Sequence, residues 1–485
     1  MKKCFEMLLS FIRKIMSIVK LLILCGCTIL LVLYFSSVMR PKKTELPNDT
    51  TNKIEGFYAL EDHSMDVLFF GTSHTYYGFN PAVLYAETGL NSYVFAGECQ
   101  PFSVTYHYLV EALKTQSPQL VVVDVFALLP SGQKCQTSGI IKKNVEDFKM
   151  SQNKIDALSL IENESLLENL LDISIYKDRW NEVTYQDFLF PFEEHFNFTF
   201  GFTQGYPVNN PLYVREMYNS EQLRKPEDVN LKYLYQMFEL LEEKGIDLLL
   251  VKTPYYETEE EYEMINYLFQ EAQNAGYEAI NFNQLYDELD FKFDRDGDVW
   301  HCNLKGSWKI THYLSKILQQ KLSISVHPGI YHDSYKEMYK KSIGTIVWTS
   351  RTAEDYLKML SQLDVTVLMS YTGKDTSILT DEQWKLLHQI GIETFDFNQN
   401  VVSVIQNKNL LYKNYSKEYQ MKELELNGQQ LVVDSGENWA SFRLNGNGYE
   451  INLPGINLIV IDNYTNEIID EVCIDTLNNF QLLRE

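Results

Sequence analysis

The sequence predicts an α/β protein whose mainly parallel sheet is preceded by one transmembrane helix and followed by a smaller α+β domain. Three observations support this prediction: an uncharged apolar run near the N-terminus, an alternation of short apolar runs with helical periods, and a later change to hairpin-like strands. We expect six segments along the chain, which are a cytoplasmic basic N-terminus (1–17), a transmembrane anchor (18–39), a tether (40–58), an α/β domain (59–325), a connector (326–360) and a C-terminal domain (361–485).

The anchor prediction depends on the run from Leu21 to Met39, which has no charged residue and is long enough to cross a bilayer core. Lys and Arg are more numerous before this run than after it, which indicates a cytoplasmic N-terminus and an extracytoplasmic remainder. A cleaved signal peptide is the alternative, but the run is long for an h-region and no Ala-x-Ala site follows it. A lipoprotein site at Cys25 or Cys27 is disfavoured because apolar sequence continues past both. We therefore favour a single-pass anchor in the cell membrane.

The charge of the chain changes sign after the anchor. Residues 1–43 contain eight Lys and Arg residues and one acid, whereas the whole chain carries −24, so the remainder carries −31. A surface this acidic excludes charge-driven binding to nucleic acid or anionic lipid. It is typical of a solvated protein near a neutral or polyanionic envelope, and a need for solubility explains it equally well.

Short apolar runs predict the strands of the α/β domain, and helical periods separate them. The predicted strands are 66–70, 92–95, 120–126, 247–252 and 277–282, and the predicted helices are 80–89, 105–115, 229–244, 258–275 and 306–319. This alternation implies βαβ units and a parallel sheet. The stretch from about 131 to 221 is aromatic and irregular, and we interpret it as an insertion or lid.

Two short motifs indicate the chemistry of this domain. Gly71-Thr72-Ser73 follows the first strand, and an aspartate lies three residues before a histidine in Asp298-Val299-Trp300-His301. A serine needs a neighbouring base to become a nucleophile, and that base needs a third group to fix its tautomer. We therefore predict Ser73 as nucleophile, His301 as base and Asp298 as the group that orients His301.

The second strand and the loop after the histidine supply further candidates. Gly97 allows a close backbone approach, so its N–H, together with the N–H of Ser73, is a candidate oxyanion donor. Asn303 is expected to shape the loop beside the substrate. His74 follows the nucleophile and either contacts substrate or caps the helix.

A strand followed by Gly-x-Ser early in the chain and Asp-x-x-His late in it resembles the layout of the SGNH hydrolases. Residues 59–320 match this layout, most clearly in the first and last motifs. Two departures matter: Thr72 replaces the aspartate of Gly-Asp-Ser, and the third motif has Asp124 where the family has an oxyanion-binding asparagine. Gln100 is a candidate substitute for that asparagine. The loss of one such donor typically costs about 3–4 kcal/mol in the transition state.

The resemblance is greatest to the membrane-anchored extracytoplasmic branch of this family, which includes the D-alanyl transfer protein of teichoic acid synthesis. It implies a cell-surface polysaccharide as substrate and a multispanning membrane acyltransferase as a partner. It implies no cofactor. Asp294, Asp296 and Asp298 resemble a calcium loop, but the glycine comes too early and Lys305 stands where the final glutamate would be. We therefore predict no metal site.

The insertion and the cysteines add two hypotheses. Tyr176 and Trp180 are candidates for stacking on sugar rings, although most aromatic residues must belong to the core. Seven cysteines in 485 residues are too few for a disulfide scaffold. A Cys99–Cys302 bridge near the site is one hypothesis, and two free or buried thiols are the alternative.

The C-terminal domain is predicted from a strand at 365–370, a helix at 381–391 and hairpin-like strands at 431–433, 440–444, 456–461 and 468–474. The segments 455–462 and 467–476 resemble the ILEI-type domain, and 365–391 resembles another part of it in permuted order. The resemblance implies carbohydrate or partner binding, and a purely structural appendage is the alternative.

These observations predict a serine acyltransferase or esterase that acts on O-acyl groups of a cell-surface polysaccharide. The main alternative is a catalytically degenerate SGNH-like module that binds glycan or assembles an envelope acylation complex. A secreted esterase for small esters is a third interpretation.

Overall fold

In the computed structural model, the chain divides into two units, Met1–Tyr331 and His332–Glu485. The structure describes residues 2–42, 49–161, 165–206, 218–291, 294, 300–321, 329–371, 379–415, 418–437, 439–450 and 452–484. The part of the predicted connector from His332 onward is helical and belongs to the second unit.

The first unit contains a five-stranded parallel sheet, so the predicted mainly parallel sheet is confirmed. Its strands are β1 (Val67–Gly71), β2 (Ser92–Ala96), β3 (Leu120–Asp124), β4 (Asp247–Lys252) and β5 (Glu278–Asn281). Their order in the sheet is β2-β1-β3-β4-β5, which places the reversal of strand order between β1 and β3. In open α/β sheets, ligands bind beyond the carboxyl ends of the strands at this switch point.

Helices precede the first strand of this sheet, connect its strands and follow its last strand. They are α1 (Lys2–Met39), α2 (Thr50–Tyr58), α3 (Ser73–Gly78), α4 (Pro81–Thr88), α5 (Phe102–Ala112), α6 (Pro130–Gln133), α7 (Ser138–Val145), α8 (Gln152–Leu158), α9 (Leu166–Leu170), α10 (Ile173–Tyr176), α11 (Tyr185–Leu189), α12 (Asp228–Lys244), α13 (Glu259–Asn274) and α14 (Leu304–Lys321).

A buried core between the sheet, α4 and α14 fixes the strands that carry the site. Phe69 of β1 stacks on Phe79 at 4.7 Å between ring centroids, and Leu84 of α4 and Leu314 of α14 belong to the same cluster. All residues of β1, β2 and β3 are buried, as expected for strands covered on both faces. Burial of each large apolar side chain contributes about 1.5–3 kcal/mol, so the ends of β1 and β3 are held firmly.

The predicted anchor is a continuous helix, α1, whose stretch Ser10–Met39 is long and apolar enough to cross a membrane. The predicted tether (40–58) is folded over its second half. Asp49 caps α2, and Ile54 and Phe57, three residues apart, are buried, with Phe57 stacked on Phe95 of β2. The helix is short and has only these two large, buried apolar positions, one turn apart. Because the rest of the stretch is polar, its amphipathic pattern was not recognised in the sequence.

The predicted insertion consists of the short helices α6 to α11 and two 3-10 turns, Lys177–Asn181 and Phe190–Phe192. Helices α7 and α8 pack on α5, whereas α10, α11 and the turn Lys177–Asn181 contact the end of α1. The described part of this stretch is therefore mainly helical up to Phe192 and packs on two different neighbours.

The second unit is an α+β assembly, as the sequence predicts. Its elements are α15 (His332–Thr349), α16 (Ala353–Leu360), β6 (Val365–Tyr371), α17 (Asp381–Gln389), β7 (Val401–Gln406), β8 (Asn409–Asn414), β9 (Gln420–Leu426), β10 (Gln429–Gly436), β11 (Trp439–Leu444), β12 (Asn447–Tyr449), β13 (Ile456–Asp462), β14 (Glu467–Asp475) and β15 (Gln481–Leu483). Two antiparallel sheets form, with the orders β12-β11-β10-β9 and β15-β14-β13-β6-β7-β8.

Candidate active site

Ser73 lies on a tight turn between β1 and α3, beyond the carboxyl end of the sheet at the switch point. Gly71 makes this turn possible, because its φ of 146° and the nearby side chain of Thr75 leave no room for a Cβ. Thr72 caps α3, and its side chain accepts a hydrogen bond from the His74 N–H at 3.3 Å. Ser73 is therefore the first residue of the helix, with 9% of its surface exposed.

The structure brings Ser73 and His301 together, although 228 residues separate them in the chain. The His301 Nε2 atom lies 2.8 Å from the Ser73 Oγ atom, and the His301 side chain is half-buried. This distance allows a direct hydrogen bond, so an imidazole nitrogen is placed to accept the hydroxyl proton.

His301 is held in place by the start of α14. Two residues later, the fully buried Asn303 accepts hydrogen bonds on its side-chain oxygen from the N–H groups of Lys305 and Gly306, at 3.0 and 3.1 Å. Asn303 thus shapes the loop and begins the helix, and a contact between its side chain and substrate stays a prediction.

Asp298, the predicted partner of His301, lies outside the described residues, so its role stays a prediction. Asp294 is the nearest described acid before it in the chain. Its buried carboxylate lies 2.5 Å from the Lys309 ammonium, and its backbone carbonyl accepts a hydrogen bond from the Asn303 N–H at 3.0 Å. Burial raises the pKa of Asp294, and the Lys309 ammonium opposes that rise. Asp294 therefore supports the loop that carries His301.

The N–H of Gly97 is already engaged in a hydrogen bond. It donates to the side-chain oxygen of the fully buried Gln100 at 2.6 Å, and the Gly71 carbonyl lies 3.3 Å away. The Asn144 side chain occupies the position where a Cβ of residue 97 would lie, so only glycine fits there. For Gly97 to bind an oxyanion, Gln100 would have to release this N–H. The predicted oxyanion roles of Gly97 and Gln100 stay predictions.

Asp124, at the position where the SGNH resemblance predicts an asparagine, has a structural role that the sequence did not indicate. Its carboxylate accepts a hydrogen bond from the Phe126 N–H at 2.9 Å, and from the N–H and hydroxyl of Thr253 at 2.9 and 2.8 Å. Burial raises the pKa of Asp124, and the nearby Lys252 ammonium counteracts the rise. Asp124 thus joins the ends of β3 and β4 and fixes Phe126.

Aromatic rings from four segments surround the serine and histidine. The His74 ring lies 3.8 Å from the Phe126 ring and 5.0 Å from the Tyr255 ring, and Tyr255 in turn stacks on Trp300 at 5.9 Å. Tyr77 lies 4.8 Å from His301. Since Thr72 caps α3, the prediction that His74 caps it is wrong; a contact between His74 and substrate stays a prediction.

A tyrosine next to Ser73 contacts a buried lysine. The Tyr76 side chain is within hydrogen-bonding reach of Ser73, and the Lys53 ammonium lies 4.1 Å from the Tyr76 ring centroid. Lys53 also donates to the Gly201 carbonyl at 2.8 Å and to the Thr203 hydroxyl at 2.9 Å. Lys53 therefore connects α2, within the predicted tether, to the environment of the nucleophile.

The Cys99–Cys302 hypothesis is wrong, and so is its alternative of a free Cys99. Cys99 forms a disulfide with Cys135, and the two Cα atoms lie 5.7 Å apart. Cys302 is a buried cysteine of the core cluster beside α14 and is not part of this disulfide. Cys99 faces the beginning of the insertion, where Cys135 follows α6. The disulfide therefore joins the loop after β2 to the insertion.

The remaining candidates lie apart from the serine. Tyr176 hydrogen-bonds to the Glu146 carboxylate at 3.1 Å, and Trp180 is 74% exposed on the turn that contacts α1. Their predicted sugar stacking stays a prediction. Within the described ranges, no group of three or more His, Cys, Asp or Glu residues is arranged to hold a metal ion, and Asp296 and Asp298 lie outside those ranges.

Comparison with protein-family models gives no match for this chain, and comparison with curated protein sequences gives none either. The SGNH and ILEI-type resemblances therefore rest on the residues named above and stay predictions.

Proposed function

We propose that the first unit is a serine esterase or acyltransferase that acts on O-acyl groups of a cell-surface polysaccharide. The observation that carries the proposal is the 2.8 Å contact between Ser73 Oγ and His301 Nε2 at the switch point of the parallel sheet. A serine hydroxyl that is hydrogen-bonded to an imidazole at the carboxyl edge of the sheet is the arrangement that nucleophilic acyl transfer requires.

The reaction follows from this geometry. His301 Nε2 accepts the hydroxyl proton while Ser73 Oγ forms a bond to the acyl carbon of an ester. The tetrahedral oxyanion then collapses, the bond to the leaving alcohol breaks, and the imidazolium donates its proton to that alcohol. A sugar hydroxyl or water attacks the acyl-serine by the reverse sequence, which releases a new ester or a carboxylic acid. Asp298 is the predicted orienter of His301.

The surroundings of the nucleophile favour a substrate that presents an apolar face. Phe126, Tyr255 and Trp300 contact one another in a row, which we call the aromatic wall. Trp300 is 37% exposed, so this wall reaches the surface beside His301. Aromatic rings pack well on the C–H faces of sugars, and this supports a saccharide as the alcohol component.

A non-catalytic function is the second candidate, and one observation favours it. The Gly97 N–H is hydrogen-bonded to Gln100, and the Asp124 carboxylate is bonded to Phe126 and Thr253, so neither of these two groups is placed to bind an oxyanion. On this alternative, the first unit binds glycan or assembles an envelope acylation complex with a multispanning membrane acyltransferase.

The location that we propose is the cell membrane, with α1 as a single-pass anchor. The N-terminus would be cytoplasmic and the chain that follows α1 extracytoplasmic. The basic residues that precede the apolar run support this orientation, and the Cys99–Cys135 disulfide is compatible with an oxidising compartment.

A serine-directed fluorophosphonate probe tests the proposal on the full-length chain. We expect labelling of Ser73 that disappears in Ser73→Ala and falls at least about 100-fold in rate in His301→Gln, since the base is lost. His312→Gln is a matched control, because His312 of α14 pairs with Glu87 of α4 rather than with Ser73. Equal absence of labelling in the wild type and in Ser73→Ala would favour the non-catalytic function.

A further inference from the structure

We propose that the insertion forms a collar around the extracytoplasmic end of α1 and inserts exposed apolar side chains into the outer lipid leaflet. The collar consists of α10, α11 and the turns Lys177–Asn181 and Phe190–Phe192. The proposal rests on the placement of α1 across the membrane that we have proposed, and it is independent of the chemistry at Ser73.

The last turns of α1 pack against the collar. Arg179 donates hydrogen bonds at 3.0–3.2 Å to the carbonyls of Val38, Met39 and Arg40, which have no partner within the helix. It also donates to the Asp187 carboxylate of α11 at 2.7 Å. Val38 is only 1% exposed, although it lies within the apolar run. The end of the anchor is therefore a folded part of the unit.

A buried charge cluster fixes the level of the collar on α1. Arg40 forms ion pairs with Asp147 at 2.6 Å and Asp172 at 3.2 Å, and the Arg40 side chain is 8% exposed. Removal of one partner from such a cluster leaves an uncompensated buried charge, so the cluster opposes sliding of the helix.

Distances along α1 then determine how deep the collar lies. Lys20 and Arg40 bound the uncharged run, and twenty residues at about 1.5 Å each place them about 30 Å apart, which is the thickness of the hydrocarbon core. Tyr34 is six residues before Arg40, hence about 9 Å deeper. The Phe192 ring lies 5.9 Å from the Tyr34 ring, and the Phe188 ring lies 6.3 Å from the Phe35 ring.

The collar exposes large apolar side chains. Trp180 is 74% exposed, Tyr185 is 76% exposed and Phe192 is 77% exposed. Tyr and Trp are enriched where a protein meets the lipid headgroups, and Phe extends that surface toward the acyl chains. Because Phe192 contacts Tyr34 of α1, and Trp180 follows Arg179, which bonds to the last residues of α1, we identify lipid as the partner of this exposed surface.

Quenching of tryptophan fluorescence by brominated lipid tests the collar. The full-length chain is reconstituted in phosphatidylcholine vesicles, with or without bromine on the acyl chains near the headgroups. We expect the wild type to lose the fluorescence share of one of its six tryptophans. Trp180→Phe should abolish this loss, whereas the matched control Trp300→Phe should retain it. In the Trp180→Phe background, Phe192→Trp should restore quenching.

The outcomes that overturn the proposal are distinct from failure of the catalytic proposal. Suppose that neither Trp180 nor the indole introduced by Phe192→Trp is quenched by brominated lipid, in a chain that withstands carbonate extraction. This result would assign the exposed surface to a protein partner. Release of the chain by carbonate would remove the anchor and the collar together. Fluorophosphonate labelling of Ser73 in the same vesicles reports the catalytic function separately.

Discussion

Asp124→Ala is the perturbation that most directly tests how the site is held together. In the folded chain, the Asp124 carboxylate pairs with the N–H groups of Phe126 and Thr253 and with the Thr253 hydroxyl. Alanine leaves two buried backbone N–H groups without partners. Each such group costs about 1–3 kcal/mol, so the free energy of unfolding of the first unit should fall by about 2–6 kcal/mol. The Phe126 ring, which packs on His74, should lose its position.

The assay is urea unfolding of the full-length chain in detergent micelles, monitored by pulse proteolysis so that the two units are observed separately. Thr253→Val is the matched control: it removes one side-chain bond, leaves both amides paired, and should cost about 1 kcal/mol. An Asp124→Ala variant no less stable than Thr253→Val would refute the reasoning. Asp124→Asn adds a second test, because a gain in Ser73 labelling would show that residue 124 can act as the oxyanion donor that the SGNH resemblance implies.

Two other predictions concern the surroundings of the collar and the disulfide. Burial raises the pKa of Glu55 from its ordinary value of 4.5 to about 7. The stabilisation from its bound proton is complete below pH 4.5 and is lost as the pH rises through about 7. Between about pH 4.5 and 7, the free energy of unfolding of the wild type should therefore fall by about 3 kcal/mol more than that of Glu55→Gln, as measured by urea unfolding. Parallel plots of stability against pH for the two proteins would contradict this. Cys135→Ser opens a loop of 36 residues and should cost about 3–4 kcal/mol. Alkylation without reductant should then modify Cys99 and leave the buried Cys302 intact, whereas modification of Cys99 in the wild type would contradict the disulfide.

Local patterns were sufficient to predict the five strands of the parallel sheet and the approach of Ser73 to the loop of His301, whereas β7, β8, β9, β12 and β15 of the second unit were not predicted. Apolar runs and turn residues depend on neighbours in the sequence, and the carboxyl ends of parallel strands necessarily meet at one edge. The order of the motifs therefore predicted which ends of the chain would meet, although Asp298 lies outside the described residues.

The aromatic wall was not predictable in the same way. Phe126 follows β3, Tyr255 follows β4 and Trp300 precedes α14, so their contacts depend on the strand order β2-β1-β3-β4-β5. Periodicity does not specify that order. A signal was nevertheless present, since Phe126 ends one predicted strand, Tyr255 closely follows another and Trp300 adjoins the predicted base.

The role of α2 and the pairing of Cys99 escaped prediction for a related reason. A helix of nine residues offers few periods, and the partners of its buried Lys53 lie about 150 residues away in the chain. Which cysteine pairs with Cys99 depends on where the insertion folds back onto the sheet, and this is a property of the tertiary structure. In both cases the deciding contacts are long-range.

The measurement that tests the central claim most directly is the mass of the Ser73 peptide after brief incubation of the full-length chain with an activated acetyl ester. We predict an acetyl group on Ser73 that is absent in Ser73→Ala and that, once formed, persists longer in His301→Gln, because release of the acyl group needs the base. A folded wild-type chain with no adduct on Ser73 and no fluorophosphonate labelling would contradict the account.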